Sequence, residues 1–210
     1  GYRAITLLRK RNVTVGTDGV SIGAGDEARF LPWSRIASVT RENEDVTLAV
    51  LDNGTIVFTP DSLSTESNAA AAFVQRTFEA KNAKRRTRLR VDLAPLLGRG
   101  GRDAHEWMRA VEEVAGGERG YRVATVTRDE LWRVALDPAA DGDTRAGAVL
   151  ALRSGLDDEE RARLRRAAER CAAPTLRALM DRVVADDEPA LRELLEEGDE
   201  RVPEKRARAR

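Results

Sequence analysis

The chain has 210 residues, enough for one or two domains that each bury a modest core. Lys plus Arg and Asp plus Glu both total 36, so net charge directs the protein toward neither nucleic acid nor a membrane. Charged residues make up 34% of the chain, and the single cysteine, Cys171, excludes an internal disulfide and suits a reducing compartment. No apolar run reaches the ~20 residues that span a bilayer, and no signal peptide is visible. Because the first residue is Gly1 rather than Met, the reading allows for a membrane anchor upstream.

The N-terminal stretch reads as an antiparallel meander. Tyr2 to Leu8 suits a lead-in strand, and Asn12–Gly16 and Val20–Ile22 flank the hairpin signal Thr17-Asp18-Gly19. Gly19 is expected to supply a positive φ there. After a turn at Ala24-Gly25-Asp26-Glu27 comes a strand from Arg29 to Trp33. Its Pro32 lacks an N–H and so belongs at a sheet edge or bulge. Ile36–Arg41 and Val46–Leu51 make the next pair, with Val46, Leu48 and Val50 alternating against Thr47 and Ala49. Asp52-Asn53-Gly54 turns the chain into Thr55–Thr59. Six or seven strands in this length predict a small barrel or sandwich. After Pro60, Ala69 to Arg86 shows helical spacing through Phe73, Val74, Thr77 and Phe78.

The Val-Thr-Val-Gly-Thr-Asp-Gly-Val hairpin, the Arg-Phe-Leu-Pro-Trp-Ser-Arg-Ile segment leading into Ile-Ala-Ser-Val, and one closing helix resemble a bacterial pleckstrin-homology-like (PH-like) domain. The resemblance covers residues 1–86, under half of the chain. It implies a non-catalytic module that binds protein segments or anionic head groups, in a family that often accompanies transmembrane segments. Lipid-binding members carry basic residues around their first hairpin. Here the turn Thr17-Asp18-Gly19 holds no cation, although Arg9-Lys10-Arg11 lies nearby.

Beyond residue 86 the chain turns helical. Thr87 to Leu93 alternates as a half-exposed strand, and Pro95 to Gly101 is a turn-rich junction. Asp103 and Glu106 have capping-box spacing before a helix with the apolar stripe Trp107, Val111 and Val114. Gly120 to Thr127 suits a further short strand. Thr127 and Glu130 repeat the capping pattern before Leu131–Leu136, which Pro138 stops. Asp143–Leu152 carries the small residues Ala146, Gly147, Ala148 and Ala151, which permit a close neighbour. Asp157–Ala172 is expected to bury Leu164, Ala167, Ala168 and Cys171, followed by a helix from Pro174 with Leu176, Leu179, Met180, Val183 and Val184 on one face. Asp187 and Pro189 open a last helix with Leu191, Leu194 and Leu195. These successive short helices resemble HEAT-type hairpins, without a convincing repeat period. From Gly198 onward the chain reads as a frayed tail.

The expected organisation is therefore α+β. A small antiparallel β-barrel or sandwich with its closing helix covers 1–86, a mainly helical domain 87–198, and a flexible tail 199–210.

No catalytic equipment is evident. The lone His105 rules out a multi-histidine metal site and suits a surface or capping position. Cys171 reads as a buried inert thiol. Gly98-Arg99-Gly100-Gly101 lacks the Gly-Lys-Ser/Thr ending of a phosphate loop. Asp157-Asp158-Glu159-Glu160 reads as capping chemistry rather than a metal cluster. Trp33, Trp107 and Trp132 read as core anchors. No catalytic residue, cofactor or metal ligand is assigned.

The strongest charge feature runs from Arg76 to Arg102, with nine Lys or Arg against Glu79 and Asp92. Lys81, Lys84, Arg85, Arg86, Arg88 and Arg90 are its candidate contacts with an anionic surface. The aromatics nearby, Phe73 and Phe78, fall on the apolar side of their helix, so nucleic acid is not the expected partner. The expected function is an interaction or regulatory module with a protein partner, in the cytoplasmic part of a bacterial membrane-associated protein. Anionic membrane binding through 76–102 is the alternative.

Overall fold

The computed structural model describes residues 5–23, 28–42, 45–51, 54–60, 93–116 and 126–207. The chain divides into two compact units, 1–87 with 170–174, and 88–169 with 175–210. The expected helix over 69–86, the strand over 120–127 except its last residues, and the turns at 24–27 and 52–53 lie outside the described residues, as does the strand over 87–93 but for Leu93.

Among the described residues the first unit holds seven strands: β1 (Ile5–Arg11), β2 (Val13–Val15), β3 (Gly19–Ile22), β4 (Arg29–Pro32), β5 (Ile36–Glu42), β6 (Asp45–Val50) and β7 (Gly54–Pro60). They form a four-stranded sheet in the order β1-β7-β6-β5 and a three-stranded sheet β2-β3-β4. This corrects the expected barrel: among the described residues the two sheets do not close on each other. The break has a local cause. Pro32 ends β4 without an N–H to offer a ladder, and Trp33–Arg35 then winds into a 3-10 turn before β5 starts. Pro32 sits on an edge strand, as its chemistry requires. The meander is not wholly antiparallel either, because β1 runs parallel to β7 with Ile5 opposite Thr55 and Leu8 opposite Phe58.

Alternation places the core. In β6, Val46, Leu48 and Val50 are buried while Thr47 and Ala49 are half-buried. These residues cluster with Val20, Ile22, Leu31, Trp33, Ile36, Ile56 and Phe58, so both sheets feed one apolar core. Gly54 has φ 83° at its hairpin, the left-handed conformation that glycine adopts without strain. Gly19 does not, contrary to expectation. It is a strand residue opposite Pro32, and a Cβ there would lie 2.2 Å from the Leu31 carbonyl oxygen. Close backbone approach, not turn geometry, requires this glycine.

The second unit holds seven helices among the described residues: α1 (Ala94–Leu97), α2 (Ala104–Ala115), α3 (Arg128–Leu136), α4 (Gly142–Leu152), α5 (Asp158–Glu169), α6 (Pro174–Ala185) and α7 (Glu188–Ala207). The last includes much of the stretch read as a tail. Caps start these helices where the sequence places them. The Asp103 carboxylate accepts from the Glu106 N–H at 2.8 Å, and Thr127 with Glu130 forms a full capping box. Helix α4 is the axis of this unit, with every residue from Thr144 to Leu152 buried. Its small residues act as expected: a Cβ on Gly147 would lie 2.0 Å from the Leu97 carbonyl oxygen, so only glycine lets α1 come this close. Trp107 anchors the same corner by donating its indole N–H to that carbonyl at 2.8 Å.

Candidate functional site

Two polar constellations stand out, one in each unit. In the first unit the turn between β2 and β3 carries Asp18, whose side chain is only 4% exposed. Its carboxylate accepts from the Ala172 N–H at 2.7 Å, the Ala173 N–H at 3.4 Å and the Cys171 thiol at 2.9 Å. The Thr17 N–H donates to the Arg170 carbonyl at 2.8 Å. A Cβ on Gly16 would lie 2.3 Å from the Ala172 nitrogen, so a glycine is required for the turn to reach the 170–174 segment. Cys171 is fully buried, as expected of an inert thiol, but it lies in this segment rather than on the stripe of α5, which ends at Glu169. The acidic turn thus has a structural cause that the local sequence could not reveal: its partner stands more than 150 residues away.

In the second unit, α2 and α7 line a groove of about 250 Å³. Ala104 and Met108 make its apolar floor, and His105, Arg109, Glu112, Arg192 and Glu196 its rim. Both helices present i, i+4 neighbours here: His105 and Arg109, Met108 and Glu112, Arg192 and Glu196. Part of the rim is held in place by the C-cap residue of α4. The Arg153 guanidinium binds Glu112 on one side and Glu188 on the other, the latter at 2.6 Å, and Glu188 also accepts from Arg192 Nε at 3.0 Å. That chain of alternating charges fixes Glu112 and Arg192. His105, Arg109 and Glu196 are exposed on the same rim, which suits the expectation of His105 as a surface residue. Sequence reading did not find this groove, because its walls come from helices some 80 residues apart.

The other residues singled out in the sequence have structural tasks. Glu160 accepts from Arg128 Nη2 at 2.6 Å and from the Trp132 indole N–H at 3.1 Å, while Asp157 caps the Glu160 N–H at 2.8 Å. The Arg128 hydrogen bond, opposed in part by desolvation and aided by Trp132 and the Asp157 amide, pulls the Glu160 carboxyl down to about 2. Asp143 is exposed, yet partial desolvation by its neighbours pushes its carboxyl up, with Asp141 adding to the rise and Arg99 opposing it. Trp33, Trp107 and Trp132 are each buried, with the Arg163 guanidinium 4.5 Å from the Trp132 ring centroid. Of the basic run, Lys81, Lys84, Arg85, Arg86, Arg88 and Arg90 lie outside the described residues. Arg99 and Arg102 lie within them: Arg99 Nε donates to the Arg102 carbonyl at 2.9 Å with its guanidinium over Trp107, and Arg102 reaches the Pro95 carbonyl at 3.4 Å. Among the described residues no group of three or more His, Cys, Asp or Glu is placed to hold a metal ion. No described helix is long and apolar enough to cross a membrane.

Comparison with known proteins finds no match to a family model, to a curated protein or to a solved structure.

Proposed function

We propose that the chain is a non-enzymatic interaction module that takes a segment of a protein partner into the groove between α2 and α7. The groove itself is the observation that carries this reading. A volume of about 250 Å³ suits one or two side chains rather than a whole substrate. Its apolar floor offers Met108, an adaptable side chain suited to packing against varied partners. Its charged rim stands on helices, which position contacts more firmly than loops do. Placement of the module in the cytoplasmic part of a bacterial membrane-associated protein rests on the resemblance of residues 1–86 to PH-like domains alone.

Site-specific photo-crosslinking in the host cell tests the proposal. A photoreactive residue replacing Arg109 or Arg192 is expected to give the same discrete adduct. One replacing Arg165, exposed on α5, is expected to give none. Identical adduct patterns at all three positions, or none at the two groove positions, would remove the groove from the account.

A further inference from the structure

We infer that α3 to α7 form a tandem array of helical hairpins whose N-caps repeat every 30 residues, and that Arg128 and Arg161 clamp the carboxyl ends of α4 and α6, Arg128 also tying its hairpin to the next through Glu160 at 2.6 Å. Three kinds of observation recur in the same order along the chain, the caps 30 residues apart, the left-handed turns 31 and the arginines 33. The N-caps of α3, α5 and α7 are Thr127, Asp157 and Asp187, spaced 30 residues apart; each accepts through its side chain from the amide three residues on, at Glu130, Glu160 and Ala190. Shortly before the second and third caps the backbone turns left-handed, with φ 74° at Gly155 and 57° at Asp186. Each hairpin then closes the same way. A helix end leaves carbonyls without intrahelical partners, and an arginine from the first helix of the pair supplies the donors. Arg128 of α3 donates to the carbonyls of Leu152, Ser154 and Gly155 at the end of α4. Arg161 of α5 donates to the carbonyl of Val184 at the end of α6 at 3.0 Å, and its guanidinium lies 3.9 Å from Asp186. Cationic charge at a helix carboxyl end also opposes the helix dipole favourably.

Caps alone are common, and one coincidence of spacing would mean little. The joint recurrence of cap, left-handed turn and arginine clamp is the stronger sign. Val134 and Leu164, 30 residues apart, are each 0% exposed, and Leu194, 30 further on, is half-buried. Neighbouring first helices also touch: α3 meets α5 through Trp132 with Glu160 and Arg163. In such arrays each repeat is stabilised by itself and its neighbours, so hairpins can open one at a time.

Hydrogen exchange on the full chain with Arg128→Ala and Arg161→Ala tests it. Arg128→Ala is expected to speed exchange about tenfold in residues 150–156 and leave 183–187 within about twofold of the wild type. Arg161→Ala should give the mirror result. Arg128→Lys and Arg161→Lys, which keep the charge and lose the planar fork, make the same comparison if an alanine variant does not fold. Opening of both segments together in either variant, or unchanged exchange at 183–187 in the Arg161 variants, would overturn the inference.

Discussion

Asp18→Ala is the most informative perturbation of the first unit. The substitution removes the carboxylate acceptor of the Ala172 and Ala173 amides; Ala172 is buried, and the Cys171 thiol keeps the Ala173 carbonyl at 3.7 Å. A hydrogen bond to a charged acceptor contributes about 1.5–3 kcal/mol, and the 2.7 Å bond from Ala172 belongs in that range. The 3.4 Å amide bond and the thiol add less. Removing a buried carboxylate also removes its desolvation cost, which offsets part of the loss. The net destabilisation of the 170–174 segment should be about 2 kcal/mol, or about 30-fold in its opening equilibrium. Because the chain has two units, a global midpoint would blur the effect, whereas hydrogen exchange at Ala172 and Ala173 reads it directly. Asp18→Asn keeps one carbonyl acceptor and should fall between the wild type and the alanine variant. Exchange at those amides within about threefold of the wild type in Asp18→Ala would refute the reasoning, since such a carboxylate would not be holding them.

Gly147→Ala should destabilise the second unit by about 3 kcal/mol, because its Cβ would lie 2.0 Å from the Leu97 carbonyl oxygen. Gly142→Ala, with open space around its Cβ, should leave the melting temperature unchanged or slightly raised. The Glu160 carboxyl, lowered from 4.5 to about 2, contributes stability that is fully present above about 4.5 and lost as pH falls toward 2. Screening of this partly exposed pair limits the contribution to about 1 kcal/mol, and Glu160→Gln should flatten that part of the acid-unfolding curve. Anionic vesicles should co-sediment with the chain at low salt and release it at high salt if the basic run 76–102 contacts membranes; absence of binding at every salt concentration would dismiss that alternative.

What the sequence made legible was what is local in the chain. The alternation of Val46, Leu48 and Val50 identified β6 and its buried face, because a strand repeats every second residue. Thr127 with Glu130 and the small residues of α4 identified caps and a close packing surface, because residues three or four apart adjoin on a helix. Long-range features were not legible. The partner of Asp18, the parallel pairing of β1 with β7 and the groove between α2 and α7 each join residues far apart in sequence. Gly19 shows a subtler limit: a Thr-Asp-Gly sequence fits a left-handed turn, but the need for glycine there comes from Leu31 on the neighbouring strand. The 30-residue period was not legible because the caps carry it, whereas Arg128 and Arg161 occupy different places relative to their caps.

The groove can be read through the two methionines of the chain, Met108 and Met180. Met108 lies on the groove floor, whereas Met180 is fully buried in α6. With both methyl groups carbon-13 labelled, titration with the protein cross-linked at position 109 should move or broaden the Met108 signal and leave Met180 in place. Formation of that complex with Met108 unperturbed would contradict the account.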